Sequence, residues 1–174
     1  MNGGIRSYEF AKRFAQSGHD VVMVTSDNQS KFKGWKIEKL DGFEVHWVSV
    51  KYDNSFGFFR RLWAFFKFLV LASIHICSLK SDKLFVTSTP LSVAIPALIY
   101  KLVKRKPYIF EVRDVWPEVP IALGVIKNTL LMKLAISLER IAYKNAEHIV
   151  ALSPDMKNSV LERCGNTPVT VISN

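Results

Sequence analysis

The sequence predicts an α/β fold, a parallel sheet flanked by helices, and three observations carry that expectation. Apolar runs of strand length and segments of helical period alternate along all 174 residues, the pattern of a sheet whose connections are helices. Apolar residues make up 49% of the chain, enough for a substantial core in one domain of this size. No internal repeat, low-complexity tract or charged linker interrupts the series, so residues 1–174 read as a single domain.

Each element has its own signal. Residues 5–17 carry Ile5, Tyr8, Ala11, Phe14 and Ala15 at helical spacing, and Gly18 follows as a stop. Residues 21–25 (VVMVT) are a continuous apolar run of strand length. In residues 43–50 (FEVHWVSV), Phe43, Val45 and Trp47 alternate at strand period until Val48 slips the register. Residues 56–79 are long enough only for a helix, 84–87 is a short strand, and 91–103 is a helix behind Pro90. Residues 108–112 (YIFEV) repeat the strand, 128–144 form an amphipathic helix, and 148–152 form another strand. Ser153 and Pro154 supply an N-cap and a first-turn proline for a helix over 155–163, and 169–172 is the last strand. A doubly wound domain opens with a strand that delivers a glycine turn to its first helix, whereas Gly3-Gly4 stands almost at Met1. The expected fold therefore lacks its first strand.

Lys and Arg outnumber Asp and Glu by 24 to 15, a formal charge of +9, so the surface attracts anions. Phosphates, nucleic acid and acidic lipid headgroups all satisfy that charge. The basic residues are scattered and no RNA-binding aromatic motif is present, so nucleic acid is not expected as a partner. Cys77 and Cys164 belong to no CxxC or Cys/His pattern; a zinc site or disulfide framework has no support, and a reducing, cytoplasmic setting fits. The start, MNGGIRSYEF, lacks the basic segment, apolar run and cleavage site of a secretory signal.

Residues 62–79 (LWAFFKFLVLASIHICSL) carry Lys67 as their one fixed charge and approach the roughly 18 residues of a membrane span. Burial in the core, docking on a lipid surface and a span are all open. A span would pull the flanking strands apart, whereas burial and docking preserve them. Phe58, Phe59, Arg60, Arg61 and Trp63 mix aromatic and basic side chains in a way suited to an anionic lipid surface. Docking through this N-terminal turn is compatible with packing of residues 69–76 inside the domain.

In open parallel sheets ligands bind beyond the C-terminal strand ends, and four loops fall there. Gly3-Gly4 precedes a helix N-terminus, where bare N–H groups and the helix dipole favour a diphosphate; a simple flexible start reads as well. Ser88-Thr89-Pro90 can hold a sugar hydroxyl or a phosphate, or merely cap a helix. Residues 111–118 (EVRDVWPE) place three carboxylates, an arginine and an indole in one strand-end turn. There Asp114 can orient or deprotonate a hydroxyl, Arg113 can hold a phosphate, and Trp116 offers a flat face to a sugar ring. The alternative is an Asp cap, an Arg salt bridge and a core Trp before a proline-started helix. Ser153 reads mainly as a helix start and secondarily as a substrate contact. The four histidines, His19, His46, His75 and His148, read as structural, and no Ser/His/Asp or metal-ligand spacing emerges.

The order of these motifs resembles the N-terminal domain of group-1 type, family 4-like retaining glycosyltransferases with the GT-B fold. Gly3-Gly4 before a helix and the run SGHDVVMVT at 17–25 are similar to that family's first glycine loop and GHxVxVxT strand. TSTP at 87–90 and the 111–118 loop match two further landmarks. RDVWPE, with ALGV at 122–125 and Lys127-Asn128 after it, is similar to bacterial members that build capsule, O-antigen or exopolysaccharide. Residues 146–174 resemble the approach to the interdomain hinge. The resemblance implies a Rossmann-like, acceptor-side half of the enzyme, without the C-terminal domain that binds the donor, so that the chain alone is expected to be inactive. It implies transfer of a sugar from a nucleotide-sugar donor, with retained anomeric configuration and no metal or other cofactor, to a lipid-linked or saccharide acceptor. Asp114 would orient the acceptor, Arg113 and Glu118 would support it, and Gly3 and Gly4 would approach the donor diphosphate or the acceptor. Many relatives carry a His near the start of the third loop where this chain has Arg113 beside Asp114, so no catalytic histidine is carried over. A cytoplasmic protein, peripheral on the inner face of the plasma membrane, is the matching location.

Two other readings compete. A nucleotide-binding Rossmann-like domain of different function shares the alternation, but GxGxxG after a strand and a Walker A motif are both lacking. A non-enzymatic module binding a membrane surface explains the charge and leaves the RDVWPE loop without a purpose.

Overall fold

The computed structural model describes residues 5–27, 32–53, 55–88, 90–114 and 128–173, with backbone alone at Ile5 and Phe58. It divides into two compact units, residues 1–76 and 77–174.

The first unit opens with α1 (Ile5–Gln16). Its Tyr8, Ala11 and Ala15 share one face at i, i+3 and i+7 and pack with Phe43 and Val45. Gly18, at φ +88°, ends the helix in left-handed geometry. The Gly18 N–H donates to the Ala15 carbonyl and the His19 N–H to the Phe14 carbonyl, the paired bonds of a glycine-terminated helix. Next come β1 (Val22–Asp27), β2 (Trp35–Leu40) and β3 (Phe43–Ser49), in the spatial order β1-β3-β2. β1 pairs with β3 in parallel, Val22 opposite Glu44, and β2 pairs with β3 antiparallel, Leu40 opposite Phe43.

β2 departs from the expected all-parallel sheet. Its cause is the two-residue link Asp41-Gly42, whose φ values of 48° and 88° are those of the tight hairpin turn that matches strand twist. Tyr8 and Lys12 of α1 hold this turn through Asp41: the Tyr8 hydroxyl donates to the carboxylate and the Lys12 ammonium lies 3.4 Å from it. Along β2, Lys36 pairs with Glu38 at 2.5 Å and Lys39 with Glu44 at 3.5 Å.

The helix α2 (Phe58–Ser78) follows. Ala64, Ala72, Ser73 and Ile76 are buried, and Ala64 packs with Val48 and Val50 beside Phe68 and Leu71. Phe59, Trp63, Phe66, Val70 and Ile74 are exposed and recur every three or four residues, so they form one outward stripe. Exposure is heaviest toward the N-terminal end, where Phe59, Arg60, Leu62, Trp63, Phe65, Phe66 and Lys67 are exposed around buried Ala64, whereas residues 69–76 bury Ala72, Ser73 and Ile76 and expose Val70 and Ile74. By length and composition Phe59–Ser78 is apolar enough to cross a membrane, with 28% of its apolar window buried.

A polar cluster ties α2 to the first sheet. His46 Nδ1 and His75 Nε2 are 2.7 Å apart, His46 Nε2 is 3.3 Å from Glu44 Oε2, and the Trp35 indole stacks on His75 with centroids 3.8 Å apart. One shared proton satisfies the two facing ring nitrogens, and a second would set two N–H donors against each other. Burial first, and the neighbouring His46 second, hold the His75 pKa below its ordinary value.

The second unit is a regular parallel sheet in sequential order: β4 (Leu84–Ser88), β5 (Tyr108–Val112), β6 (His148–Ala151) and β7 (Val169–Val171). Between strands run α3 (Ala94–Lys104), entered through a 3-10 turn at Leu91–Val93, then α4 (Thr129–Asn145) and α5 (Pro154–Cys164). Every crossover advances the sheet in the same direction, so right-handed connections carry all three helices over one face. Accordingly α3 packs on α4 and α4 on α5. Fully buried Ala94 and Ala97 let α3 approach closely, and Phe110, Tyr108, Tyr143 and Ile149 fill the space between helices and strands. The Tyr108 hydroxyl donates to the Ala142 carbonyl at 2.6 Å, so this ring is buried with its polar end satisfied. Glu139 is also buried and accepts from Arg163 at 3.2 Å; burial pushes its carboxyl up to about 7.

The depressed pKa of His75 has a definite sign in stability. Unfolded chains bind its proton near the ordinary histidine value and the folded chain does not, so the contribution is complete above about pH 6.5 and is lost as pH falls below it. Glu139 titrates in the same window with the opposite sign in both proteins, so the readout is the difference: between about pH 7.5 and 5.5 the urea midpoint of wild type, followed by tryptophan fluorescence, should fall relative to that of His75→Gln. Identical pH slopes for the two proteins would contradict this assignment. The depressed carboxylates Glu38, Glu44 and Asp53 act below that window.

Candidate functional site at the strand ends of the second unit

Parallel register aligns the C-terminal ends of the second sheet. Ser88, Val112, Ala151 and Val171 stand in one row across β4, β5, β6 and β7, and the chain leaves each strand at that level. Crossover helices begin here too, so their N-termini face the same edge.

Arg113 and Asp114 are the first residues past β5, the most enclosed strand of the sheet. The Arg113 N–H donates to the Ser88 hydroxyl oxygen at 3.2 Å. Ser88 is itself buried, so its side chain fastens the exit of β5 to the end of β4. Arg113 is half-buried and Asp114 exposed, one residue after a backbone position held by Ser88. Glu111, grouped by sequence with the loop, lies instead inside β5, opposite Thr87 and Val150, and is fully buried. Of the carboxylates in that motif, Asp114 is therefore the one placed to meet a ligand among the described residues.

At the end of β6 the Ser153 hydroxyl accepts from the Met156 N–H at 3.2 Å, with Pro154 opening α5. This is the helix-start role. Asn128 does the same for α4, its side-chain oxygen accepting from Leu130 and Leu131 N–H at 2.9 and 3.2 Å. Gly3, Gly4, Thr89, Trp116 and Glu118 lie outside the described residues, as does the Phe58 side chain. Phe59, Arg60 and Trp63 are exposed and Arg61 half-buried on α2, where the Arg60 guanidinium lies 3.7 Å from the Phe56 ring centroid. Among the described residues no group of three or more His, Cys, Asp or Glu side chains is placed to hold a metal ion.

Residues 3–174 match the glycosyl transferase 4-like domain family. The chain belongs to that family. Its fold is that of a GT-B glycosyltransferase fragment: it superposes on sucrose-phosphate synthase from Thermosynechococcus elongatus with a TM-score of 0.62, over 98% of this chain and at 10% identity. The chain spans 42% of the synthase. No curated protein matches its sequence significantly.

In this glycosyl transferase 4-like domain, sequence reasoning identified the edge carrying Ser88, Arg113, Asp114 and Ser153, and missed the bond that joins Ser88 to Arg113. A serine ending one strand and a polar pair leaving its neighbour were the available signal. Replacing Ser88 by Ala leaves a backbone N–H without this acceptor, a loss of about 1–3 kcal/mol. Amide exchange at Arg113 should quicken while that of Phe110 stays protected; unchanged exchange at Arg113 would show that the hydroxyl does not anchor the loop.

Proposed function

We propose that this domain is the acceptor-side half of a retaining glycosyltransferase that moves a sugar from a nucleotide-sugar donor to a lipid-linked or saccharide acceptor in bacterial cell-surface polysaccharide synthesis. Membership of the glycosyl transferase 4-like family supports the reaction class. The observation that carries the assignment of roles is the placement of Asp114, exposed at the end of β5 and directly after a residue whose backbone is bonded to Ser88.

In the reaction the acceptor hydroxyl oxygen bonds to the anomeric carbon as the bond to the donor phosphate oxygen breaks, the nucleoside diphosphate leaves with the electron pair, and the hydroxyl proton passes to the departing phosphate oxygen. Asp114 accepts the hydrogen bond of the incoming hydroxyl and aims its lone pair. Arg113 contributes positive charge at the same strand end, where phosphate oxygens gain it. In this reading Glu118 supports the acceptor, Trp116 and Thr89 are substrate contacts, Gly3 and Gly4 serve the donor diphosphate or the acceptor, and no metal is required. In the full two-domain protein, Asp114→Asn should reduce kcat by roughly 100-fold or more, with thermal stability preserved because the side chain is exposed. Wild-type turnover in a folded Asp114→Asn protein would reduce the motif to a structural turn.

A lipid-linked acceptor requires approach to a membrane, and the outward stripe of α2 supports docking on the cytoplasmic face. Phe59, Trp63 and Phe66 are exposed, with Arg60 and Lys67 beside them; aromatic rings enter the lipid interface while the cations meet anionic headgroups. Changing Phe59 and Trp63 together to Ser should weaken co-sedimentation with anionic liposomes by about tenfold or more. Equal, negligible binding of wild type to anionic and neutral liposomes would remove the docking reading.

A further inference from the structure

α4 turns Glu139, Ala142 and Tyr143 inward. Its opposite face has no role in the core or at the strand-end site. There Leu130, Leu134 and Ile141 are exposed in the spacing of a single helical stripe. Lys133, Arg140 and Lys144 are also exposed and run alongside it at intervals of seven and four. From residue 130 to 144 the stripe extends about 21 Å. It contains no carboxylate: the one acidic residue of α4, Glu139, is buried against Arg163.

The last turn of α3 lies beside the C-terminal end of α4. The Lys101 ammonium donates to the Asn145 carbonyl at 2.6 Å, which holds the C-terminal ends of α3 and α4 together. Leu102 and Val103 are 80% and 61% exposed there, directly before Lys104, Arg105 and Lys106. The acidic residues at this pole are already matched, Asp82 with Lys106 at 3.1 Å and Glu147 with Lys83 at 2.7 Å.

We propose that the outer face of α4, with the last turn of α3, is a second docking surface for an anionic lipid bilayer. Apolar side chains in a stripe with lysine and arginine beside them suit the boundary between headgroups and acyl chains, because the long basic side chains keep their charge at the headgroups. A second copy of the chain would set three cations against three. Nucleic acid would engage the cations and leave the leucines without a partner. The surface shares with the α2 reading only the bilayer, and does not need α2 to bind.

The test is co-sedimentation with vesicles of phosphatidylcholine alone and with about a third phosphatidylglycerol, at low and high salt. Four chains are compared: wild type; the α2 variant Phe59→Ser with Trp63→Ser; and that variant combined with either Lys133→Glu, Arg140→Glu and Lys144→Glu or Leu130→Ser, Leu134→Ser and Ile141→Ser. All substitutions are at exposed positions, and circular dichroism verifies the helix content. The α2 variant should retain salt-sensitive binding to anionic vesicles, and each α4 combination should lose about 100-fold more. If the α2 variant alone abolishes binding, or the α4 changes cost nothing, the α4 surface is overturned and α2 docking stands. If wild type binds neither vesicle, both docking readings fall together. Binding to duplex DNA without binding to vesicles overturns the proposal in favour of nucleic acid.

Discussion

Strand β5 lies between β4 and β6, with Tyr108, Phe110 and Val112 wholly buried against the helices. Its hydrogen bonds to two parallel neighbours fix the height at which Arg113 and Asp114 leave the sheet, and its packing fixes the helices above. Sequential strand order then places α3, α4 and α5 over one face. The same order leaves their outer sides facing away from the sheet, and the basic, apolar stripe of α4 is a consequence. The strand-end row and the outer stripe of α4 are thus both set by one strand, the first through its end and the second through the layer it supports.

The polar atoms near the site divide by task. Ser88 is buried and spends its oxygen on the Arg113 N–H, and Ser153 spends its oxygen on Met156. Both hold backbone at the strand ends, where Asp114 is exposed. Rigidity at Ser88 allows one exposed carboxylate to hold a useful direction without being enclosed itself.

Most of the fold was legible because its signals are local. Gly18 ended α1, Ser153-Pro154 opened α5, and the apolar runs at 84–87 and 108–112 became paired strands. β2 escaped, since its WKIEKL run carries three charges in six residues and only half resembles a strand. The Asp41-Gly42 link was the cue, a two-residue turn before an alternating segment. The faces of α2 were not legible either. Aromatic and aliphatic residues surround that helix in sequence, so periodicity alone could not say which side meets the sheet; the small buried residues Ala64, Ala72 and Ser73 decide it. Residue type pointed to loops that the structure places at the C-terminal strand ends, but the bond from Arg113 to Ser88 depends on a register between strands that no local pattern contains.

Charge along β2 has a meaning beyond its hairpin. The strand ends the order β1-β3-β2, so one row of its backbone donors and acceptors has no strand beside it in that sheet. Such a row is a template for pairing with another chain. Lys36, Glu38 and Lys39 project from the faces of this strand, Lys36 paired with Glu38 and Lys39 with Glu44, and an incoming strand would have to set its own side chains beside those charges. The residues that hid β2 from a reading based on apolar pattern therefore guard the sheet against growing into an aggregate.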